Sequence, residues 1–195
     1  MSWEETVRQS SVIRETHRET LISDLRDRPD FQWLLSAPNR FCDRLQGDFF
    51  EKFPVSYIDP SEKPVLQRRT VMVVNNTCDL PPGRSTLVSV APVFDFAKFL
   101  ENTATARKAG AMANFEKDLR KNQISELLFI PALQGFADGA LVRLDMICSV
   151  PMPFLEEAVS QKTRCASFSQ NGFYTLLMKL THHLTRMEST EVSRD

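Results

Sequence analysis

The chain has 195 residues, of which 24 are basic and 25 acidic, so its net charge is only -1. Hydrophobic residues make up 42% of it and only 6 residues are glycine. These figures exclude disordered, collagen-like and low-complexity chains and predict a globular protein with one solid core. The balance of charges excludes a globally basic nucleic-acid-binding protein.

Residues 1–20 lack the apolar segment of a secretory signal, and no apolar run approaches the roughly 20 residues that span a bilayer. We therefore expect a cytoplasmic protein that does not bind membranes. Closely spaced ligand pairs are typical of structural zinc sites, and the cysteines show no such pairing. Four cysteines could form two disulfides, but because the sequence shows no secretory signal we expect reduced thiols. We also expect no metal and no cofactor. The cysteines are Cys42, Cys78, Cys148 and Cys165.

Residues 1–44 differ in composition from the rest, because they are rich in arginine and contain no lysine. Apolar residues at helical spacing predict an exposed helix over residues 3–27 with a thin apolar stripe, followed by a second short helix. Tryptophan and arginine are enriched at binding hot spots, so we expect this extension to contact a partner protein. The candidate partner-binding residues are Trp3, Val7, Leu21, Leu25 and Trp33.

The remainder alternates between short β-rich segments and helical ones. Strands are predicted at residues 48–57, 69–75, 85–93, 127–131, 140–150 and 163–169. The second and third of these should form an antiparallel hairpin. Helical spacing predicts a helix at 95–122, with a break at 103–110. A C-terminal amphipathic helix, Gly172–Met187, should begin with a cap at Ser169 or Asn171.

This order lacks the regular strand–helix alternation of a parallel sheet. It predicts an α+β fold, namely a small bent antiparallel sheet or an SH3-like barrel with helical insertions. The expected organisation is a helical extension at 1–44, a barrel-like domain at 45–187 and a flexible tail at 188–195.

The stretch from Asn75 to Asp79 is the most unusual, because it joins a β-branched strand to a proline turn. Cys78 is a candidate nucleophile if a base lies nearby, and Asp79 is a further candidate site residue. The alternative, which we favour, is that Asn75, Asn76 and Asp79 hold the turn while Cys78 fills a small buried space.

Other polar clusters point to ordinary surface or packing roles. His182 and His183 lack the spacing of a metal-binding motif, so a packed or capping role is favoured. The short basic runs, of which Arg68-Arg69 is one, have acidic residues among them, and this weakens the case for a nucleic-acid surface.

Three segments carry a resemblance to known proteins: Gly47-Asp48-Phe49, the strand from Arg69 to Leu80, and Arg164–Ser169. They resemble a loose group of uncharacterised prokaryotic proteins that share a Thr-Cys-Asp-Leu strand end. The layout is also similar to the SH3-like barrel of the MazF/PemK toxins. That resemblance covers about residues 45–187 and implies a phosphate-contacting arginine at Arg68 or Arg69. The hydroxyl residue expected at the end of the next strand is replaced by Ala91-Pro92-Val93.

Two functions follow from these observations. The favoured one is a non-catalytic protein-interaction module, an accessory subunit of a prokaryotic multi-component defence or mobile-element system. The alternative is a MazF/PemK-like toxin endoribonuclease that uses Arg68 or Arg69. A thiol-dependent activity at Cys78 is a third hypothesis.

Overall fold

The computed structural model describes residues 7–9, 13–27, 33–35, 43–58, 61–104, 109–131 and 133–185. The strands of this part are β1 (Phe49–Ile58), β2 (Pro64–Val73), β3 (Leu87–Asp95), β4 (Leu127–Ile130), β5 (Ala140–Arg143), β6 (Cys148–Pro151) and β7 (Arg164–Ala166). Its helices include α1 (Glu15–Asp27), α2 (Phe96–Ala104), α3 (Ala109–Arg120), α4 (Met152–Ser160) and α5 (Gln170–Thr185).

The described strands form one bent antiparallel sheet in the order β4-β5-β3-β2-β1-β7, and β6 also pairs with β3. Strand β3 is the centre of this arrangement because its first half pairs with β6 and its last residues pair with β5. On its other edge β3 pairs with β2 only from Val71↔Pro92 to Val73↔Val90. The sheet does not close into a barrel.

Alternation along the strands gives the sheet two buried faces. On the α5 face, Phe49, Met72 and Ala91 pack with residues of β4, β5 and α5. On the α4 face, Phe50 and Val71 pack with aliphatic residues of β3 and with α4. The bend and the two helices thus bury both sides of a single sheet.

Two helical units lie outside these layers. Leu21 and Ile22 of α1 are buried with Tyr174 against the outer side of α5. Helices α2 and α3 cover β4 and β5, where Phe96 and Phe129 pack with their ring centroids 4.8 Å apart. The apolar stripes of these helices therefore face the protein itself.

The structure confirms the predicted α+β class with a bent antiparallel sheet. It also confirms the hairpin of β2 and β3 and the C-terminal helix, whose cap is Ser169: its Oγ accepts a hydrogen bond from the Gly172 N–H at 3.1 Å. The single strand predicted at 140–150 is wrong, because a 3-10 turn, Leu144–Met146, divides it into β5 and β6.

The continuous helix predicted over residues 3–27 is also wrong. Ile13 and Arg14 are not helical, and α1 begins only at Glu15. Part of the predicted extension joins the sheet: Leu34 forms an antiparallel bridge with Phe168, and the Leu35 N–H donates to the Ser167 carbonyl at 2.9 Å. The predicted tail at 188–195 lies outside the described residues.

Candidate functional site

The α4 face of the sheet changes from apolar to polar along β2. Successive residues of β2 on this face run from Val73 and Val71, which are buried, to Arg69 and Gln67, which are half-buried. Helix α4 covers the aliphatic end. A narrow recess lies at the other end, and we call it the Arg69 recess. It is lined by Val55, Ser56, Tyr57, Gln67, Arg69, Pro92, Phe94, Met146 and Cys148.

The Arg69 recess contains two buried donors that lack an acceptor in the structure. The Nε atom of Arg69 and the Nε2 atom of Gln67 are both shielded from solvent and form no hydrogen bond. A buried polar group without a partner costs about 1–3 kcal/mol, so such groups are rare in folded proteins. Both residues line the same recess, which is therefore the candidate binding site.

An aromatic ring fixes the Arg69 guanidinium. The Cζ atom of Arg69 lies 4.4 Å from the centroid of the Phe94 ring, and that of Arg143 lies 5.9 Å from the same centroid. Arg143 is held by Asp145, with N–O distances of 2.7 and 2.5 Å. This ion pair raises the pKa of Arg143, whereas Arg69 forms no ion pair within the described residues.

The lining of the recess consists mainly of apolar groups and hydrogen-bond donors. Its lining residues include no carboxylate and no imidazole. Burial raises the pKa of the Cys148 thiol, and the hydrogen bond from the Ser56 backbone only partly opposes this effect. A protonated thiol is a poor nucleophile, so the recess lacks both a general base and an activated nucleophile.

The Asn75–Asp79 corner is a structural turn. The Asn75 side chain accepts a hydrogen bond from the Ser89 N–H, and Asn76 accepts one from the Cys78 N–H at 3.0 Å. The Thr77 hydroxyl accepts one from the Gln46 N–H at 3.0 Å. The predicted roles of Asn75 and Asn76 in holding the turn are therefore correct.

The predicted burial of Cys78 is wrong, because Cys78 is exposed in the 3-10 turn, as is Asp79. No hydrogen bond within the described residues joins the Cys78 thiol to His17 or His183. Among the described side chains, which do not include that of His182, Cys78 therefore has no imidazole partner of the kind that the nucleophile hypothesis requires.

Two of the segments that carry the family resemblance meet in a buried ion pair. The Asp48 carboxylate is fully buried and accepts from Arg164 Nη1 at 3.0 Å and from the Ser167 hydroxyl at 2.6 Å. Gly47 adopts a φ of +85°, and a Cβ there would lie 2.5 Å from the Phe168 ring. The Gly-Asp and Arg-x-x-Ser sequences therefore serve the folding of β1 and β7.

The structure places the predicted partner-binding residues in different surroundings. Val7 and Leu21 are buried beside α5, because their apolar side chains match the Phe173–Met178 surface of that helix. Trp33 is half-buried against the α5 face of the sheet. Trp3 and the side chain of Leu25 lie outside the described residues. The stripe predicted to hold a partner thus places Val7 and Leu21 in the protein's own interior.

Sequence reasoning selected Arg69 but missed the residues around it. Gln67, Phe94 and Cys148 come from three different strands, and no local motif connects them. The alternation of side chains along β2 gave one signal, because residues 73, 71, 69 and 67 share a face of the sheet. On this face valine is followed by arginine and glutamine, and this change indicates where the buried core ends.

Comparison with known proteins gave no match, either to a protein-family model or to a curated protein sequence. Among the described residues, no group of three His, Cys, Asp or Glu side chains is placed to hold a metal ion. No helix in the same part of the chain is both long and apolar enough to cross a bilayer.

Proposed function

We propose that this protein is a non-catalytic interaction module that binds a partner protein at the Arg69 recess. The observation that carries the proposal is the pair of buried donors, Arg69 Nε and Gln67 Nε2, which lack an acceptor. The module serves as an accessory subunit of a cytoplasmic prokaryotic system with several components, of the defence or mobile-element kind. That setting comes from the resemblance of the Thr77–Leu80 strand end.

The energetics of the recess favour a partner. No described residue accepts a hydrogen bond from either donor, so an incoming acceptor can form a hydrogen bond with each of them. Phe94 holds the guanidinium in place before binding, so little side-chain freedom remains to be lost. The site is therefore built to gain hydrogen bonds when a partner arrives.

The N-terminal helix α1 packs on α5 and not at the Arg69 recess. Leu21 and Ile22 are buried against α5, and α5 in turn covers the sheet. This arrangement moves the proposed partner surface from the N-terminal stripe to the Arg69 recess. The remaining N-terminal candidates, Trp3 and Leu25 among them, stay a prediction.

Replacing Arg69 with alanine should reduce capture of the partner by at least about tenfold, because a charged hydrogen bond contributes about 1.5–3 kcal/mol. The measurement is quantitative mass spectrometry of proteins that co-purify with the tagged protein from its source cells. Thermal unfolding must first show that the variant is folded.

Arg68→Ala is the matched control, since Arg68 is the adjacent arginine on the opposite side of β2 and donates to the Lys52 carbonyl at 2.9 Å. This variant should retain the full set of partners. Identical capture profiles for the Arg68 and Arg69 variants would refute a binding role for the recess.

A MazF/PemK-like endoribonuclease is the second candidate, and the presence of Arg69 in the recess favours it. In that case Arg69 would stabilise the negative charge of the phosphate during cleavage. Overexpression should then arrest growth, and Arg69→Ala should relieve the arrest. Normal growth during overexpression of the folded protein would contradict this candidate.

A further inference from the structure

The unsatisfied atoms of the Arg69 recess define the chemistry of its ligand. Both are N–H donors, so the group that satisfies them must be an acceptor. One donor belongs to a guanidinium that has no ion pair within the described residues, whereas the neighbouring Arg143 is neutralised by Asp145. The recess therefore carries one uncompensated positive charge and suits a single anionic group.

The size of the recess limits that group. Its enclosed part has room for about one water-sized group. A carboxylate oxygen meets this limit, but a nucleobase does not. Nucleic-acid binding also depends on several phosphate-neutralising cations, and Arg68 lies on the other face of β2. Size and charge together favour one carboxylate over a nucleic-acid strand.

The sheet opens beside the recess. The pairing of β2 with β3 includes Val71, Met72 and Val73 but no earlier residue of β2, whereas β3 from Val93 onward pairs with β5 on its other edge. Proline has no N–H to continue the ladder. Within the described strands, residues 64–70 of β2 therefore pair only with β1. An open strand edge is a template for an extended peptide.

From this geometry we propose that the partner presents an extended acidic peptide along the open edge of β2. One oxygen of its carboxylate enters the recess and accepts hydrogen bonds from Arg69 Nε and Gln67 Nε2. This inference rests on the proposed function and specifies the group that the partner supplies.

Alternation in the added strand predicts the neighbours of the acidic residue. Side chains on either side of it point to the opposite face of the sheet. Leu66 and Ile58 lie on that face, with 78% and 65% of their surfaces exposed. The peptide therefore has the pattern apolar–acidic–apolar.

The test is a nuclear magnetic resonance titration of the full chain, which follows the Arg69 Nε–H and Gln67 Nε2–H signals. The probe is acetyl-Thr-Val-Glu-Val-Thr-amide, and the control is the same peptide with Gln in place of Glu. The acidic peptide should shift both signals saturably and bind at least about tenfold more tightly than the control, as expected for a charged acceptor.

Inorganic phosphate and a uridine oligonucleotide form the competing arms. Equal shifts with both peptides, no shift with either, or a stronger response to phosphate or to the oligonucleotide than to the acidic peptide would each overturn the proposal. The co-purification experiment keeps the two conclusions separate. Arg69-dependent capture without a response to the acidic peptide would refute the carboxylate and leave the interaction module intact.

Discussion

Replacing Asp48 with alanine is expected to lower the free energy of unfolding by about 3–5 kcal/mol, because the change removes one member of a buried ion pair. Arg164 Nη1 lies 3.0 Å from the Asp48 carboxylate, which is fully buried. The Ser167 hydroxyl and the Leu45 N–H also lose their acceptor. Urea unfolding monitored by circular dichroism measures the effect.

Asp138→Ala is the control for this measurement. Asp138 is exposed, so its replacement should change stability by no more than about 0.5 kcal/mol. A loss at Asp48 no greater than that of the control would contradict a structural role for the Gly-Asp sequence.

A double variant tests whether Asp48 and Arg164 stabilise the protein as a pair. Burial raises the pKa of Asp48 above its ordinary value even though Ser167, Arg164 and Leu45 oppose this shift. Burial of this ion pair therefore costs free energy. Removing only one of its two members should destabilise the protein more than removing both. Asp48→Ala combined with Arg164→Leu should therefore cost less than the sum of the two single changes.

Strong periodicity made part of the fold predictable. The β-branched run of β2 and the i, i+3, i+4 spacing of α5 are local signals. Both elements overlap their predicted ranges, although β2 begins at Pro64 and not at residue 69. The 3-10 turn between β5 and β6 was missed because Leu144 and Ile147 continue the apolar character of the flanking strands.

The pairing of Asp48 with Arg164 shows why the rest was harder to predict. Both residues belong to motifs that the sequence singles out, but 116 positions separate them, and only the contact of β1 with β7 brings them together. The same holds for the Arg69 recess, whose walls come from β1, β2, β3 and the segment of Met146 and Cys148. Spacing within a chain reports local structure and cannot specify such contacts.

The N-terminal stripe illustrates a different failure. Its apolar residues predicted an exposed contact surface, and a thin stripe does fit a partner helix. The partner of Leu21 and Ile22 is α5 of the same chain. Sequence alone does not distinguish a stripe that packs on its own protein from one that packs on another.

Lys179 should make stability depend on pH in the alkaline range. It is only 8% exposed and donates to the Ile124 carbonyl, and burial lowers its pKa to about 8 although Glu126 opposes this shift. Between pH 8 and 10.5 the unfolded chain binds a proton at this lysine that the folded protein has lost. Stability therefore rises with pH in this window, by about 3 kcal/mol from this residue.

Lys179→Met should abolish this contribution while keeping the volume of the side chain. The quantity to compare is the difference in unfolding free energy between the variant and the native protein from pH 7 to 11. The difference matters because burial raises the pKa of Cys165 to about 12, and that thiol lowers stability over part of the same range. Both proteins contain Cys165, so its contribution cancels.

Lys98→Met, at an exposed lysine of α2, is the control for the removal of a lysine side chain. If Lys179→Met follows the native curve as closely as Lys98→Met does, the lysine is not desolvated in solution. If the Lys179 variant is the more stable protein at pH 7 and loses this advantage by pH 10.5, the charged lysine carries a cost in the folded state. That cost would arise from its position between α5 and the segment before β4, where the Ile124 carbonyl is its acceptor.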